Sequence, residues 1–223
     1  MNLAVIGSGG REHAICYKLK QSPKIKRLIC IPGNAGIEEI AENIRVDITK
    51  FHLIYKILKK YKIDIVIVGP EQPLVDGLVN YLSEKKIRVF GPDKFCSQLE
   101  GSKAFMKDLC KKNNIPTADY GVFDSYNKAS NFIKKNKIPI VVKADGLASG
   151  KGVSVCLTKE EALKNVREIL NGKFKSSKKV VLEEFLQGEE LSYFLIVDEN
   201  TYHFFGSAQD HKRVGEGDTG PNT

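Results

Sequence analysis

Lys143 closes the apolar, β-branched run Ile140-Val141-Val142 and opens onto Ala144-Asp145-Gly146-Leu147-Ala148-Ser149-Gly150-Lys151-Gly152. A lysine leaving a buried strand presents its ammonium from a rigid edge, as a compact point charge. Gly146, Gly150 and Gly152 permit positive φ and close backbone approach, so amide N–H groups can surround an anion. Contact with a polyphosphate is the chemistry such a segment suits, a lysine-rich surface turn being the plainer alternative. The Walker loop is excluded. It needs four residues between its glycine and its Gly-Lys pair and then Ser or Thr, whereas three residues separate Gly146 from Gly150-Lys151, and Gly152 follows.

A second segment of this kind, Gly7-Ser8-Gly9-Gly10-Arg11-Glu12-His13, follows the first apolar run and opens a helix. There, backbone N–H groups and the helix dipole favour a phosphate. The dinucleotide fingerprint fails, because Glu12 occupies its sixth position and the next strand ends in Ile31-Pro32-Gly33-Asn34, with no acid for a ribose. A smaller phosphorylated ligand fits better, with tight strand-to-helix packing as the alternative use of these glycines. Gly101-Ser102-Lys103 adds another lysine. The apolar run 180–182 breaks into the bend Glu183-Glu184-Phe185-Leu186-Gln187-Gly188-Glu189-Glu190, which offers backbone groups for a base and a carboxylate for ribose hydroxyls. His13, His52, His203 and His211 show no metal-ligand spacing, and no Ser/His/Asp or Cys/His set is linked locally.

The elements that must position these residues fall in two groups. Apolar runs at 3–6, 27–31, 63–68 and 87–90 alternate with helical periods at 11–21, 51–61 and 74–84, which predicts a doubly wound parallel sheet. A helix over 94–113, single or broken near Gly101-Ser102, bridges to a second unit, and the boundary is placed near residue 101. That unit reads as α+β: strands at 119–123, 139–143, 153–157 and 179–185, helices near 127–135 and after the capping-box sequence Thr158-Lys159-Glu160-Glu161, then strands at 190–197 and 202–207. The polar, glycine-rich stretch 210–223 closes it.

The formal charge of +8, from 35 basic and 27 acidic residues, is spread along helix faces such as Lys56, Lys59 and Lys60 and forms no arginine-rich tract, so nucleic acid is not the expected partner. Five cysteines, odd in number and without a Cys-x-x-Cys pair, fit reduced thiols in a cytoplasm. The first residues enter a strand without a signal-peptide pattern, and no apolar run approaches the roughly 20 residues of a membrane span. A cytoplasmic protein that binds neither nucleic acid nor membrane is expected. The sequence specifies no oligomeric state.

Taken together, these segments closely resemble the glycinamide ribonucleotide synthetases (phosphoribosylamine-glycine ligases) of the ATP-grasp superfamily. The resemblance is carried by Ile6 to His13, Pro32-Gly33-Asn34-Ala35-Gly36, Val68-Gly69-Pro70-Glu71-Gln72-Pro73-Leu74, Phe90-Gly91-Pro92, Leu99 to Lys107, Val142 to Gly152, Glu183 to Glu190 and Ser207-Ala208-Gln209-Asp210-His211-Lys212-Arg213 to Thr223. It implies a pre-ATP-grasp substrate domain over 1–101 and an ATP-grasp domain over 102–223, with a small lobe at about 119–190 and the start of a large lobe at 191–223. It implies ATP-dependent ligation of glycine to 5-phosphoribosylamine through glycyl phosphate. Lys103 and Lys143 would contact the ATP phosphates, Gly146, Ser149, Gly150, Lys151 and Gly152 would fold over them, Glu183 and Leu186 would meet adenine, and Glu190 the ribose. Gly9, Gly10, Arg11, Glu12 and Glu71 would hold phosphoribosylamine, while Asp210, Lys212, Arg213 and Asp218 would face the substrates. The family's Mg²⁺ (or Mn²⁺) ligands are expected beyond Thr223, with none within 1–223, so residues 1–223 alone are expected to lack ligase activity. Two alternatives stay open: a carboxylase-type or formate-using ATP-grasp enzyme, and a non-catalytic nucleotide- or phosphoribosyl-binding module.

Overall fold

The computed structural model describes residues 1–148, 151–174, 177–217 and 219–222, with backbone alone at 213, 221 and 222. The chain packs as two units, Met1–Phe185 and Leu186–Thr223. The first unit opens with β1 (Asn2–Gly7), α1 (Gly10–Lys20), β2 (Arg27–Pro32), α2 (Ala35–Glu38), β3 (Glu42–Asn43), α3 (Phe51–Lys60), β4 (Ile65–Val68), α4 (Glu71–Asp76), α5 (Leu78–Ser83) and β5 (Arg88–Phe90). Their strands form one parallel sheet in the order β3-β2-β1-β4-β5. Side chains alternate across it. Ala4 and Ile6 join Ile54 and Leu58 of α3 and Leu78 and Leu82 of α5, while Leu3 and Val5 join Cys16 of α1 and Ile37 of α2. Both faces are therefore covered, as the doubly wound reading requires. The order in which strands are added reverses between β1 and β4, and the crevice at their C-terminal ends is where open α/β sheets take ligands.

Local departures from the periodic pattern have backbone causes. The helix expected over 74–84 is two helices, because Gly77 adopts φ +95 and its N–H donates to the Leu74 carbonyl. The strand expected from Ile63 begins at Ile65, since Lys62 turns to positive φ and the Ile63 N–H returns to the Leu58 carbonyl. α2 and β3 were not expected. A four-residue helix capped by Asn34, whose side chain accepts from Ile37 N, and a two-residue strand are too short to show periodicity.

The first unit continues with α6 (Gln98–Gly101), α7 (Lys103–Lys112), β6 (Tyr120–Phe123), α8 (Tyr126–Lys135), β7 (Ile140–Ala144), β8 (Val153–Cys156), α9 (Lys159–Leu170) and β9 (Val180–Glu184). The break anticipated near Gly101-Ser102 is present: Ser102 is extended, and its hydroxyl accepts from Phe105 N. An antiparallel sheet, β6-β9-β7-β8, carries α8 and α9 on one face through Ile140, Val142, Ala144, Val180 and Leu182. Thr158 and Glu161 form the expected capping box of α9. The period of two sends Val141, Lys143, Val181 and Glu183 to the opposite face.

The second unit holds the hairpin β10 (Ser192–Val197) and β11 (Tyr202–Ala208), with Tyr193 stacked on Phe204 at 4.6 Å between centroids. The polar, glycine-rich stretch 210–223 contains a short ladder, β12 (Arg213–Gly215) against β13 (Thr219–Asn222). Among the described residues, no helix is long and apolar enough to cross a membrane.

Candidate active site

At the crevice of the parallel sheet, the loop from β1 to α1 is shaped by Glu12. This residue is 4% exposed, and its Oε2 accepts from Gly9 N at 2.6 Å, closing the N-terminus of α1. A Cβ at Gly69 would overlap the Glu12 carboxylate, with Cδ and Cγ at 2.7 Å, and one at Gly7 would lie 2.6 Å from the same atoms. Glu12 thus fills the space that a dinucleotide loop leaves to glycine. A Cβ added at Gly10, by contrast, would meet nothing within 4 Å.

Arg11 reaches across the crevice. Its Nη1 donates to the Gly69 carbonyl and to Glu71 Oε1, both at 2.9 Å. Burial alone would push the Glu71 carboxyl up, but the hydrogen bond and charge of Arg11, with a backbone N–H, hold it below its ordinary value. The same bond raises Arg11.

The lysine segment is tied to α7 by Asp145. Its Oδ1 accepts from Ser102 Oγ and from Ala104 N, each at 3.1 Å, so one carboxylate caps the helix and holds the loop leaving β7. Gly146 sits at φ +94, and its carbonyl accepts from Lys103 Nζ at 3.0 Å. Gly152 returns its carbonyl to Ala144 N at 2.7 Å, and a Cβ there would lie 2.6 Å from that of Ala148. Lys151 is exposed, and Ser149 and Gly150 lie outside the described residues. A cleft of about 450 Å³ is lined by Glu71, Glu100, Lys103, Leu147, Ala148 and Gly152, among others. Glu71 at the start of α4, Glu100 of α6 and Lys103 at the start of α7 therefore open onto one space.

Lys143 and Glu183 meet on the face of the small sheet opposite α8 and α9. The register pairs Val141 with Glu183 and Lys143 with Val181, which makes them diagonal neighbours. Lys143 Nζ lies 2.9 Å from Glu183 Oε2, and so does Lys107 Nζ from α7. Glu183 Oε1 is buried and has no hydrogen-bond partner among the described residues.

In the second unit the expected residues also gather. Lys212 Nζ contacts Asp210 Oδ2 at 2.8 Å and Glu190 Oε1 at 2.9 Å. Its hydrogen bond holds Asp210 below the usual carboxylate range, and its two acidic partners raise Lys212. Leu186 is exposed in this unit. Arg213 contributes described backbone only, and Asp218 lies outside the described residues.

Sequence reasoning did not single out Glu100, Lys107 or Asp145 for a role. For Lys107 a signal existed, since it stands one helical turn after Lys103, at i+4. Asp145 had the signature of a cap only in three dimensions, because the helix it caps starts some forty residues earlier.

The chain matches the family profile described as phosphoribosylglycinamide synthetase, N domain, over residues 1–100 and that of its ATP-grasp (A) domain over 101–223. It is 51% identical over 224 residues to a phosphoribosylamine-glycine ligase of Brucella melitensis, covering all of this chain and 52% of the relative. It is 44% identical to one from Escherichia coli O6:H1, covering 53% of it. The chain thus spans about half the length of the curated relatives it matches. Among solved structures, the phosphoribosylamine-glycine ligase of Thermotoga maritima superposes with TM-score 0.83 at 33% identity, over all of this chain and 54% of that one. The N5-carboxyaminoimidazole synthetase of Staphylococcus aureus complexed with ADP shares the fold at TM-score 0.71 and 14% identity, over 97% of this chain and 55% of that one. With both profiles meeting end to end over an ATP-grasp fold, the chain belongs to the phosphoribosylglycinamide synthetase family.

Proposed function

We propose that this chain supplies the phosphate-gripping part of a ligase that uses ATP to join glycine to 5-phosphoribosylamine, giving glycinamide ribonucleotide, ADP and phosphate. The observation that carries the reading is the convergence of Lys103 with Glu71 on one cleft, beside a loop pinned by Asp145. A carboxylate is a poor electrophile, so phosphorylation of glycine to glycyl phosphate supplies a leaving group for attack by the ribosylamine nitrogen, and cations must offset charge on the transferring phosphoryl. In this reading Lys103 and Lys143 meet that charge. Gly146, Ser149, Gly150, Lys151 and Gly152 cover it and keep water from the acyl phosphate.

Glu183 is read as a contact to adenine, which is supported by a carboxylate oxygen that has no hydrogen-bond partner among the described residues. Leu186 and Glu190 are read as contacts to adenine and ribose. Gly9, Gly10, Arg11 and Glu71 take phosphoribosylamine at the switch point of the sheet. Glu12 serves there by holding the loop, since its carboxylate already accepts from Gly9 N. Asp210, Lys212, Arg213 and Asp218 are read as substrate-facing. The substrate domain is placed at 1–101 and the ATP-grasp domain at 102–223, a division supported by where the two family profiles meet. Mg²⁺ or Mn²⁺ completes the cofactor set; among the described residues no three His, Cys, Asp or Glu side chains converge as its ligands. A cytoplasmic setting is supported by five cysteines that are all free thiols.

The test is a chimera in which this chain replaces its matching segment of the Brucella melitensis relative. ADP release that requires both glycine and 5-phosphoribosylamine is the expected result. ADP release supported by bicarbonate or formate, and indifferent to glycine, overturns the proposal in favour of another ATP-grasp chemistry.

A further inference from the structure

Two lysines converge on Glu183, and they are not equivalent. The Lys107 side chain is 3% exposed, and its three N–H donors are taken by Glu183 Oε2 at 2.9 Å, Thr117 Oγ1 at 2.8 Å and the Ala118 carbonyl at 3.2 Å. The Tyr120 ring lies 5.7 Å from the same ammonium. The Lys143 side chain is 24% exposed, and among the described residues its ammonium has Glu183 as its one hydrogen-bond partner. Both ammoniums use the same carboxylate oxygen, and the other oxygen of Glu183 is buried and, among the described residues, unpaired.

We propose that Lys107 is a positioning residue, the permanent counter-ion of Glu183, whose presence leaves Lys143 free to exchange the carboxylate for an incoming polyphosphate. The proposal rests on the ATP reading for the identity of that anion. A buried carboxylate stripped of its only cation is strongly disfavoured. If Lys143 alone balanced Glu183, drawing it toward phosphate would leave such a group behind, and the protein would resist ligand binding. With Lys107 fixed by Thr117 and Ala118, the carboxylate stays compensated whether Lys143 is present or withdrawn. Lys107 itself has no donor left for a ligand, so its role runs through Lys143. The unequal anchoring of the two lysines, rather than their common distance to Glu183, carries this division of labour.

The test follows acylation of each lysine in the purified chain by mass spectrometry, a readout that needs no nucleotide. In Lys107→Met, Lys143 becomes the sole partner of Glu183, and its acylation slows roughly tenfold. Adding Glu183→Gln to that variant restores the rate, which loss of packing alone would not do. In Glu183→Gln by itself, Lys143 reacts faster while Lys107 stays protected by Thr117 and Ala118. This second variant decides the matter even where Lys107→Met fails to fold. An unchanged Lys143 rate in folded Lys107→Met, or Lys107 exposed as fully as Lys143 in Glu183→Gln, overturns the proposal. Titration with inorganic tripolyphosphate forms a separate arm, with binding about tenfold weaker in Lys107→Met and recovered in the double variant. If the acylation pattern holds and tripolyphosphate binds none of these proteins, the counter-ion role stands and the polyphosphate reading of the site fails.

Discussion

Glycines and acids at this site work in pairs, and Gly69 with Glu12 shows how. Gly69 is glycine because the Glu12 carboxylate occupies the place of its Cβ, and Glu12 is there to hold the Gly9 N–H that starts the first helix. The sequence displayed the glycines but hid the reason for Glu12, since the space it fills is created only when the ends of the first and fourth strands lie side by side. Arg11 and Glu71, sixty residues apart, are joined the same way. Their pairing has a pH signature. Glu71 has a folded-state value below its ordinary 4.5, so what its ionisation adds to stability is present above that value and is lost as pH falls through the folded one. An NMR titration of the Glu71 carboxyl will give a midpoint below 4.5. Arg11→Met will move it up, because burial then acts with less opposition. A midpoint that Arg11→Met leaves in place contradicts this account of the crevice.

At the level of elements, the small sheet does the positioning by alternation. One face of its central strands is apolar and carries two helices; the other presents Lys143 and Glu183 at a diagonal fixed by the register. The strand Ile140–Ala144 and the capping box at Thr158 were legible in sequence because period and capping chemistry are local signals. The split of the helix at Gly77 and the cap of α7 by Asp145 were not, since the first depends on a backbone conformation and the second on a distant loop. Asp145 couples the two lysine-bearing elements, so its loss should be felt in both. Asp145→Ala removes acceptors from Ser102 Oγ and Ala104 N and is expected to destabilise the chain by about 1–3 kcal/mol in urea unfolding. It should also weaken ATP binding. Thr158→Ala, a cap remote from the cleft, should destabilise by about 1 kcal/mol and leave ATP binding unchanged. Equal effects of the two variants on ATP binding would remove Asp145 from its coupling role.

Across the whole molecule, the two units differ in how their strands are supported. Strands β1 and β2 bury side chains on both faces, at Leu3 to Ile6 and Leu28 to Ile31, whereas the hairpin of the second unit exposes Phe194, Leu195, Phe204 and Phe205. A two-stranded hairpin is marginal by itself in water. Amide exchange should therefore be orders of magnitude faster in Ser192–Val197 than in Asn2–Gly7, and comparable protection in both would mean that the hairpin is not marginal. Fold class and family could be read from the sequence because motifs recur in order along nearly all of it. The convergence of Lys103, Glu71 and the Asp145 loop on one cleft could not, since it depends on how a parallel sheet and an antiparallel sheet share α6 and α7. Whether that cleft and the neighbouring Lys143 hold ATP is decided by calorimetric titration of the chain with ATP, beside Lys103→Met and Lys143→Met. Saturable binding by the wild type is expected, with binding at least about tenfold weaker in each variant, the scale of a lost charge-assisted hydrogen bond. Affinity equal in all three proteins, or no binding by the wild type, would contradict it.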